Sequence, residues 1–250
     1  MLKDLKKRNF LLFIVCFILL ITSTYITTKL FFKRSIESSY ITNTSNKKCV
    51  YLTIDDGPCP VVTDAILDVL NEYDIKGTFF VVGKEIDGRE EILNRIYKEG
   101  HSIGLHTYSH NFKKIYSSEN TFIDEMLQTQ NKVKKITGYT STIIRFPGGS
   151  SGHLNKTYLE NLHNHGFKIY DWNVNLGDGV DPNIPVKKLF DNGKQYKDDY
   201  SRIIILMHCN FNNKNTVKAL PLIIDYYKDL GYEFKAISED TKEYHYRLKK

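Results

Sequence analysis

Only four cysteines occur in the 250-residue sequence (Cys16, Cys49, Cys59 and Cys209), and none forms a CxxC pair. That spacing argues against a zinc ribbon and against a disulfide framework. No internal repeat beyond a strand–helix unit is present, which excludes a solenoid. No low-complexity segment is present either. Tryptophan occurs once, at Trp172. The net charge is +6, but the lysines are scattered and form no basic stripe, so no nucleic-acid partner is expected. The surplus positive charge suits an anionic polymer such as a cell wall, a membrane surface, or simply a solvated exterior.

One long apolar run is present. Lys3, Lys6, Lys7 and Arg8 precede residues 10–28, which carry no charge. Those 19 residues approach the roughly 20 that cross a bilayer. No A-x-A-like site follows, so an uncleaved signal anchor is favoured over a cleaved leader. Lys29, Lys33 and Arg34 on the far side make flanking charge a weak guide to orientation, and a large C-terminal domain translocates largely regardless of it. The expected organisation is a cytoplasmic 1–9, a transmembrane anchor at 10–30, a Ser/Thr/Asn-rich linker at 31–48 and an extracellular domain at 49–250. The protein is then a single-pass protein of the cell membrane.

Within 49–250, strand-like and helix-like segments alternate. Strands are expected near 50–54, 77–82, 102–105, 142–145, 167–174, 203–207 and 232–237. Helices are expected near 62–73, 89–99, 119–137, 155–165, 185–192 and 215–230. In the first helix Val62, Ile66, Val69 and Tyr73 share a face; in the third, Phe122, Met126, Thr129, Val133 and Ile136 do. Unbroken apolar strands between helices predict a parallel sheet covered by helices. The fold class is α/β, a distorted or incomplete (β/α)7-8 barrel preceded by one transmembrane helix. In such barrels chemistry gathers at the C-terminal strand ends. Asp55 and Asp56 end the first strand, His106 the third, Arg145 the fourth and His208 the sixth, while Asp178 follows the fifth. All of them fall on one rim.

Each group has an ordinary reading when taken alone. Asp55-Asp56-Gly57 is a common turn with two solvated acids. It is also a pair whose side chains diverge, one for a metal and one for a proton. His106-Thr107-Tyr108-Ser109-His110 places two imidazoles four residues apart, on one side if a helical turn starts there, which suits one metal ion. A rim carboxylate would complete a two-His, one-carboxylate face with open positions, where bound water turns acidic toward pH ~7. Arg145-Phe146-Pro147-Gly148-Gly149-Ser150 is either a plain turn or an arginine that grips a carboxylate beside N–H groups for an oxyanion. His208 is either a core histidine or a general acid. Asp178 either orients it or is solvated.

Together, Thr53-Ile54-Asp55-Asp56-Gly57, His106-Thr107-Tyr108-Ser109-His110, Arg145-Phe146-Pro147-Gly148-Gly149, Asn175-Leu176-Gly177-Asp178 and Leu206-Met207-His208 resemble, in order, the five motifs of polysaccharide deacetylases. These carry the NodB homology domain and form carbohydrate esterase family 4. The resemblance covers about residues 49–240. It implies a divalent metal, zinc first, and hydrolysis of N-acetyl groups on amino-sugar polymers. It implies Asp55 as general base, Asp56, His106 and His110 as metal ligands, Arg145 as the positioner of Asp55, His208 as general acid and Asp178 as its tuner. Gly148, Pro147, Trp172 and Leu206 are implied at the oxyanion and substrate. The expected partner is a cell-wall glycan: peptidoglycan N-acetylglucosamine first, chitin-like oligomers second. The catalytic domain is expected to be monomeric. Ile54 stands where Phe is usual and Asn175 where Asp is common. Gly148 stands where a bulky residue is usual, and Gly179 where Trp is usual, so two groove walls are missing. Trp172 either substitutes or belongs to the core. The rival readings are a glycan-binding protein without turnover and a hydrolase of non-sugar amides. His101, His153, His163, His165 and His245 match no motif and read as structural or surface. Cys59 and Cys209 each follow a rim motif; free thiols are favoured over a bridge.

Overall fold

The computed structural model describes residues 24, 26–29, 48–194 and 201–249. Most of the expected anchor at 10–30 and nearly all of the linker therefore lie outside the described residues. Thr24 and residues 26–29 are helical. Among the described residues no helix is long and apolar enough to cross a membrane. The chain divides into two units, 1–47 and 48–250; the second carries every feature below.

Among the described residues eight strands form one sheet: β1 (Cys49–Gly57), β2 (Thr78–Val81), β3 (Ser102–Leu105), β4 (Ile143–Ile144), β5 (Lys168–Ile169), β6 (Val174–Asn175), β7 (Arg202–His208) and β8 (Glu233–Phe234). Their order is β5-β4-β3-β2-β1-β7-β6, with β8 on the lower end of β1, and every pair is parallel. The helices are α1 (Val62–Glu72), α2 (Glu90–Lys98), α3 (Phe112–Ile115), α4 (Glu119–Thr137), α5 (Lys156–Asn164), α6 (Val186–Gly193) and α7 (Lys214–Asp229).

Strand periodicity sorts β1 cleanly. Val50, Leu52 and Ile54 join the large apolar layer with the helices, while Cys49 and Tyr51 join a smaller cluster with Phe80, Ile143, Tyr170, Ile204 and Ile237. Thr53 and Asp55 continue the second face by alternation. That face is the interior of a half-barrel, so Asp55 stands at its mouth. The buried face of α1 is Val62, Ile66, Leu67 and Leu70; Val69 and Tyr73 only pack against its margin. Helix α4 buries Phe122, Met126, Thr129 and Val133 as the spacing predicts. Ser118 caps its start by accepting from the Thr121 N–H at 3.0 Å, and Gly138 closes it at φ 78°.

The expected strand at 167–174 is two strands. β5 pairs with β4, and β6 pairs with β7, at opposite edges of the sheet. Residues 170–173 carry the chain from one edge to the other. The Asn173 amide substitutes for backbone there: its Oδ1 accepts from Ile204 N–H and its Nδ2 donates to the Arg202 carbonyl, both at 2.8 Å. An apolar run cannot reveal that its two ends pair with different neighbours. Tyr244 lies along the seam, donating its N–H to the Ile169 carbonyl and accepting from Asp171 N–H.

Candidate active site

Register places the first pair. Asp55 of β1 lies opposite His208 of β7, as the last pair of their register. Arg145 follows β4 and is fully buried in the interior. Its Nη1 donates to Asp55 Oδ1 at 2.8 Å and to Thr53 Oγ1 at 2.7 Å, and its Nε donates to the Tyr170 carbonyl at 2.7 Å. The Phe80 ring lies 4.1 Å from the guanidinium. A buried charge pair needs such satisfaction of its remaining donors to offset desolvation. Asp55 Oδ1 is thereby held, and Oδ2 is left to accept a proton.

His208 and Asp178 form the second pair. Nδ1 of His208 meets Asp178 Oδ1 at 2.9 Å. The other carboxylate oxygen accepts from His208 N–H at 2.9 Å and Thr216 Oγ1 at 2.8 Å. Burial alone pushes the imidazole down. The Asp178 hydrogen bond, with the charges of Asp178, Asp55 and Asp56, outweighs it and His208 is pushed up to about 9. The ring is a cation at neutral pH, and Nε2 carries its available proton.

Asp56, His106 and His110 converge. Asp56 adopts φ 73° beside a register shift between Asp55 and Gly57, which swings its carboxylate away from the position strand alternation gives. Its Oδ1 is buried, has no hydrogen-bond partner among the described residues, and lies 3.6 Å from His106 Nε2 and 3.2 Å from His110 Nε2. One donor atom from each residue lies within 4.8 Å of the others. His106 Nδ1 bonds to the Arg145 carbonyl at 2.9 Å, which fixes Nδ1 as the protonated nitrogen and turns the Nε2 lone pair inward. Burial, opposed by Asp55 and Asp56, holds His106 down to about 4, so it is neutral and fit to bind a metal. Burial pushes the Asp56 carboxyl up, but His106, His110, His208 and the Asn210 amide together hold it below the usual range. An orphaned carboxylate oxygen facing two imidazole nitrogens fits a divalent cation.

The two histidines do not meet through a helical turn. Residues 106–110 form no helix, and Thr107 and His110 take φ 63° and 49°. This left-handed loop is held by a residue the sequence reading missed. Glu125 of α4 is buried, and its Oε2 accepts from Tyr108 N–H at 2.9 Å and Ser109 N–H at 2.6 Å. Lys114 Nζ lies 2.7 Å from its other oxygen. The only signal in the sequence was an acid beside Met126 on the apolar stripe of α4. Thr53 of the first motif also supports the site, its hydroxyl accepting from Arg145 and donating to the Ile205 carbonyl.

Asp55, Asp56, His106, His110, Gly148, Trp172, Leu206 and His208 all line one cleft of about 420 Å³, with Phe112, Asn175, Gly179 and Val180. Pro147 does not line it. It is buried, and its carbonyl accepts from the Tyr116 hydroxyl at 2.6 Å. Of the glycine pair, Gly149 N–H donates to the Phe146 carbonyl, while among the described residues nothing accepts from Gly148 N–H. Trp172 packs against the inner cluster and also faces the cleft. The two walls expected to be missing, at 148 and 179, fare differently. A Cβ at 148 would come within 3.3 Å of the Phe112 ring, so an aromatic already stands there. A Cβ at 179 would lie 2.4 Å from His208 Cε1, so no wall fits there while His208 keeps its place. His101 is structural, its Nδ1 accepting from Gly77 N–H at 3.0 Å. Cys59 and Cys209 are free thiols, and both are buried. Burial pushes the Cys209 thiol well up, and it donates to the Asp55 carbonyl at 3.3 Å. A second cleft of about 580 Å³, beside His163, Lys168 and Glu243, contains none of these groups, and His163 and Glu243 are paired at 2.9 Å.

Comparison with known proteins agrees with this geometry. A family model described as polysaccharide deacetylase matches residues 42–170. The putative polysaccharide deacetylase YheN of Bacillus subtilis is 35% identical over 198 residues, spanning 78% of this chain and 68% of that protein. A peptidoglycan-N-acetylglucosamine deacetylase of Bacillus cereus is 30% identical over 207 residues, spanning 80% and 72%. The crystal structure of the catalytic domain of peptidoglycan N-acetylglucosamine deacetylase from Eubacterium rectale superposes with a TM-score of 0.73 at 30% identity, covering 82% of this chain and 96% of that one. The chain belongs to the polysaccharide deacetylase family, hydrolases of non-peptide carbon–nitrogen amide bonds.

Proposed function

We propose that the protein removes N-acetyl groups from a cell-wall amino-sugar polymer, peptidoglycan N-acetylglucosamine first and chitin-like oligomers second. The observation that carries this reading is the meeting, at one cleft, of Asp55 held by Arg145, His208 held by Asp178 and an Asp/His/His donor set. The peptidoglycan deacetylases among its relatives support the choice of polymer.

Asp56, His106 and His110 would hold the divalent ion, zinc first. When bound, that ion polarises the acetamide carbonyl and acidifies water near neutral pH. Asp55 accepts the proton of the attacking water at Oδ2 while Arg145 fixes Oδ1. The water oxygen bonds to the acetamide carbon, and the Gly148 N–H donates to the carbonyl oxygen as charge grows there. His208 passes its Nε2 proton to the amine as the C–N bond breaks. Acetate departs, and the sugar keeps a free amine. Asp178 holds His208 in the tautomer and orientation this transfer requires. All of these side chains come from one chain, which supports a monomeric catalytic unit.

Acetate release from peptidoglycan and from chitin oligomers, with and without chelator, tests the reading. Activity indifferent to chelator, or intact in Asp56→Ala, sinks it. Binding of these glycans by the metal-loaded protein without acetate release favours the non-catalytic rival, for which the missing wall at Gly179 speaks. The charge-free residues 10–28 support an uncleaved anchor holding 49–250 outside the membrane. Alkaline extraction and protease protection of cells check that placement.

A further inference from the structure

Phe112 is 49% exposed, yet it is not a loose surface side chain. It opens α3, where Asn111 Oδ1 accepts from Lys114 N–H at 3.2 Å and caps the turn. Its ring meets the His110 imidazole edge-on at 5.4 Å and 88°, and the Tyr116 ring at 5.9 Å and 67°. Tyr116 is itself fixed: its hydroxyl donates to the Pro147 carbonyl, and its ring stacks on His153 at 3.7 Å. The Phe112 ring is thus braced on two sides with its remaining surface open to the cleft. Beside it stands Gly148, at φ 77°, whose backbone N–H has no acceptor among the described residues. An apolar face braced next to a free N–H suits a pyranose, whose C–H face lies on aromatic carbon while its acetamide oxygen takes the N–H.

We propose that Phe112 is the groove wall that seats the sugar whose acetamide is cut, and so a specificity-determining residue for polymeric substrates. This rests on the reading that the cleft takes an amino-sugar chain. Because the ring is already held, little rotamer freedom is lost when a sugar lands on it. On the opposite side the cleft is open: position 179 carries no side chain, and Val180 is 92% exposed. The aromatic surface that the cleft offers a glycan is therefore that of Phe112 and Trp172.

The test compares wild type, Phe112→Ala and Phe112→Trp, all zinc-loaded, with two probes: the tetramer of N-acetylglucosamine and a small acetanilide. Tetramer binding is read as a Kd by titration, apart from turnover. Phe112→Ala should raise Kd and KM for the tetramer about five- to ten-fold, the size of one aromatic contact, and Phe112→Trp should restore them. In Phe112→Ala the losses in acetanilide turnover and in zinc affinity should be smaller than the loss with the tetramer. Unchanged tetramer constants overturn the proposal. So do equal losses with both probes, which would mean that the ring serves His110 instead. A wild type that does not bind the tetramer overturns it as well. A wild type that binds the tetramer without releasing acetate ends the deacetylase reading, while the Kd comparison still decides the role of Phe112.

Discussion

Asp178 and His208 show how one hydrogen bond sets the charge state on which the chemistry depends. Burial would keep this imidazole neutral, yet Asp178 and the neighbouring carboxylates of Asp55 and Asp56 push it up to about 9 from an ordinary 6.5. A folded-state value above the unfolded one stabilises the protein fully below about pH 6.5, and that stability is lost as pH rises through about 9. Replacing Asp178 by Asn removes the charge but keeps a polar group of the same shape. The His208 titration in the metal-free protein, followed by imidazole NMR, should then fall below its wild-type midpoint. The alkaline limb of the activity profile should move to lower pH with it. An unchanged titration would show that Asp178 does not set the proton affinity. Asp55 calls for the same restraint in mutagenesis. Asp55→Ala would strand the buried Arg145 charge and cost roughly 3–5 kcal/mol, so Asp55→Asn is the variant that reads chemistry apart from folding.

Two elements hold the site in shape from behind. Helix α4 reaches into the histidine loop through Glu125, whose carboxylate takes two backbone N–H groups that a left-handed turn leaves without partners. Glu125→Ala should lower zinc affinity about 10- to 100-fold, the usual cost of losing a partner behind the metal ligands, with Glu125→Gln intermediate. Isothermal titration with zinc measures it, and wild-type affinity in the Ala variant would refute the role. Strand β3 contributes through an absence. Gly104 leaves room for the Phe80 ring, which a Cβ would approach to 2.4 Å, and Phe80 in turn lies under the Arg145 guanidinium. Gly104→Ala should cost about 1–3 kcal/mol in urea unfolding. It should also depress turnover, since the displaced ring carries the arginine with it. Neither effect could be read from the motifs, because Glu125 and Gly104 act on site residues that lie near them only in the fold.

At the scale of the whole catalytic unit, the half-barrel is open between β5 and β6, and the C-terminal segment closes the seam. Tyr244 pairs along residues 169–171, and Tyr246 N–H donates to Asp171 Oδ2 at 2.8 Å. Asp171 also takes the Ser150 N–H, which ties the seam to the loop carrying Gly148. Deleting residues 244–250 removes about four backbone hydrogen bonds and should lower stability by about 2–5 kcal/mol, measured by urea titration. An unchanged midpoint would show the segment to be ornamental. The order of strands and helices, their parallel pairing and the shared rim of Asp55, His106, Arg145 and His208 were already legible in the sequence. Each is a local matter: hydrophobic period sets an element, and a strand ends where its apolar run ends. Helix α4 shows this best, since the spacing of Phe122, Met126, Thr129 and Val133 marks its buried face. The division of 167–174 into two strands, the left-handed turn that joins His106 to His110, the brace from Glu125 and the ring of Phe112 over Gly148 were decided only by tertiary structure. Each is a contact between residues distant along the chain or a backbone conformation selected by such contacts, and a one-dimensional pattern carries no term for either.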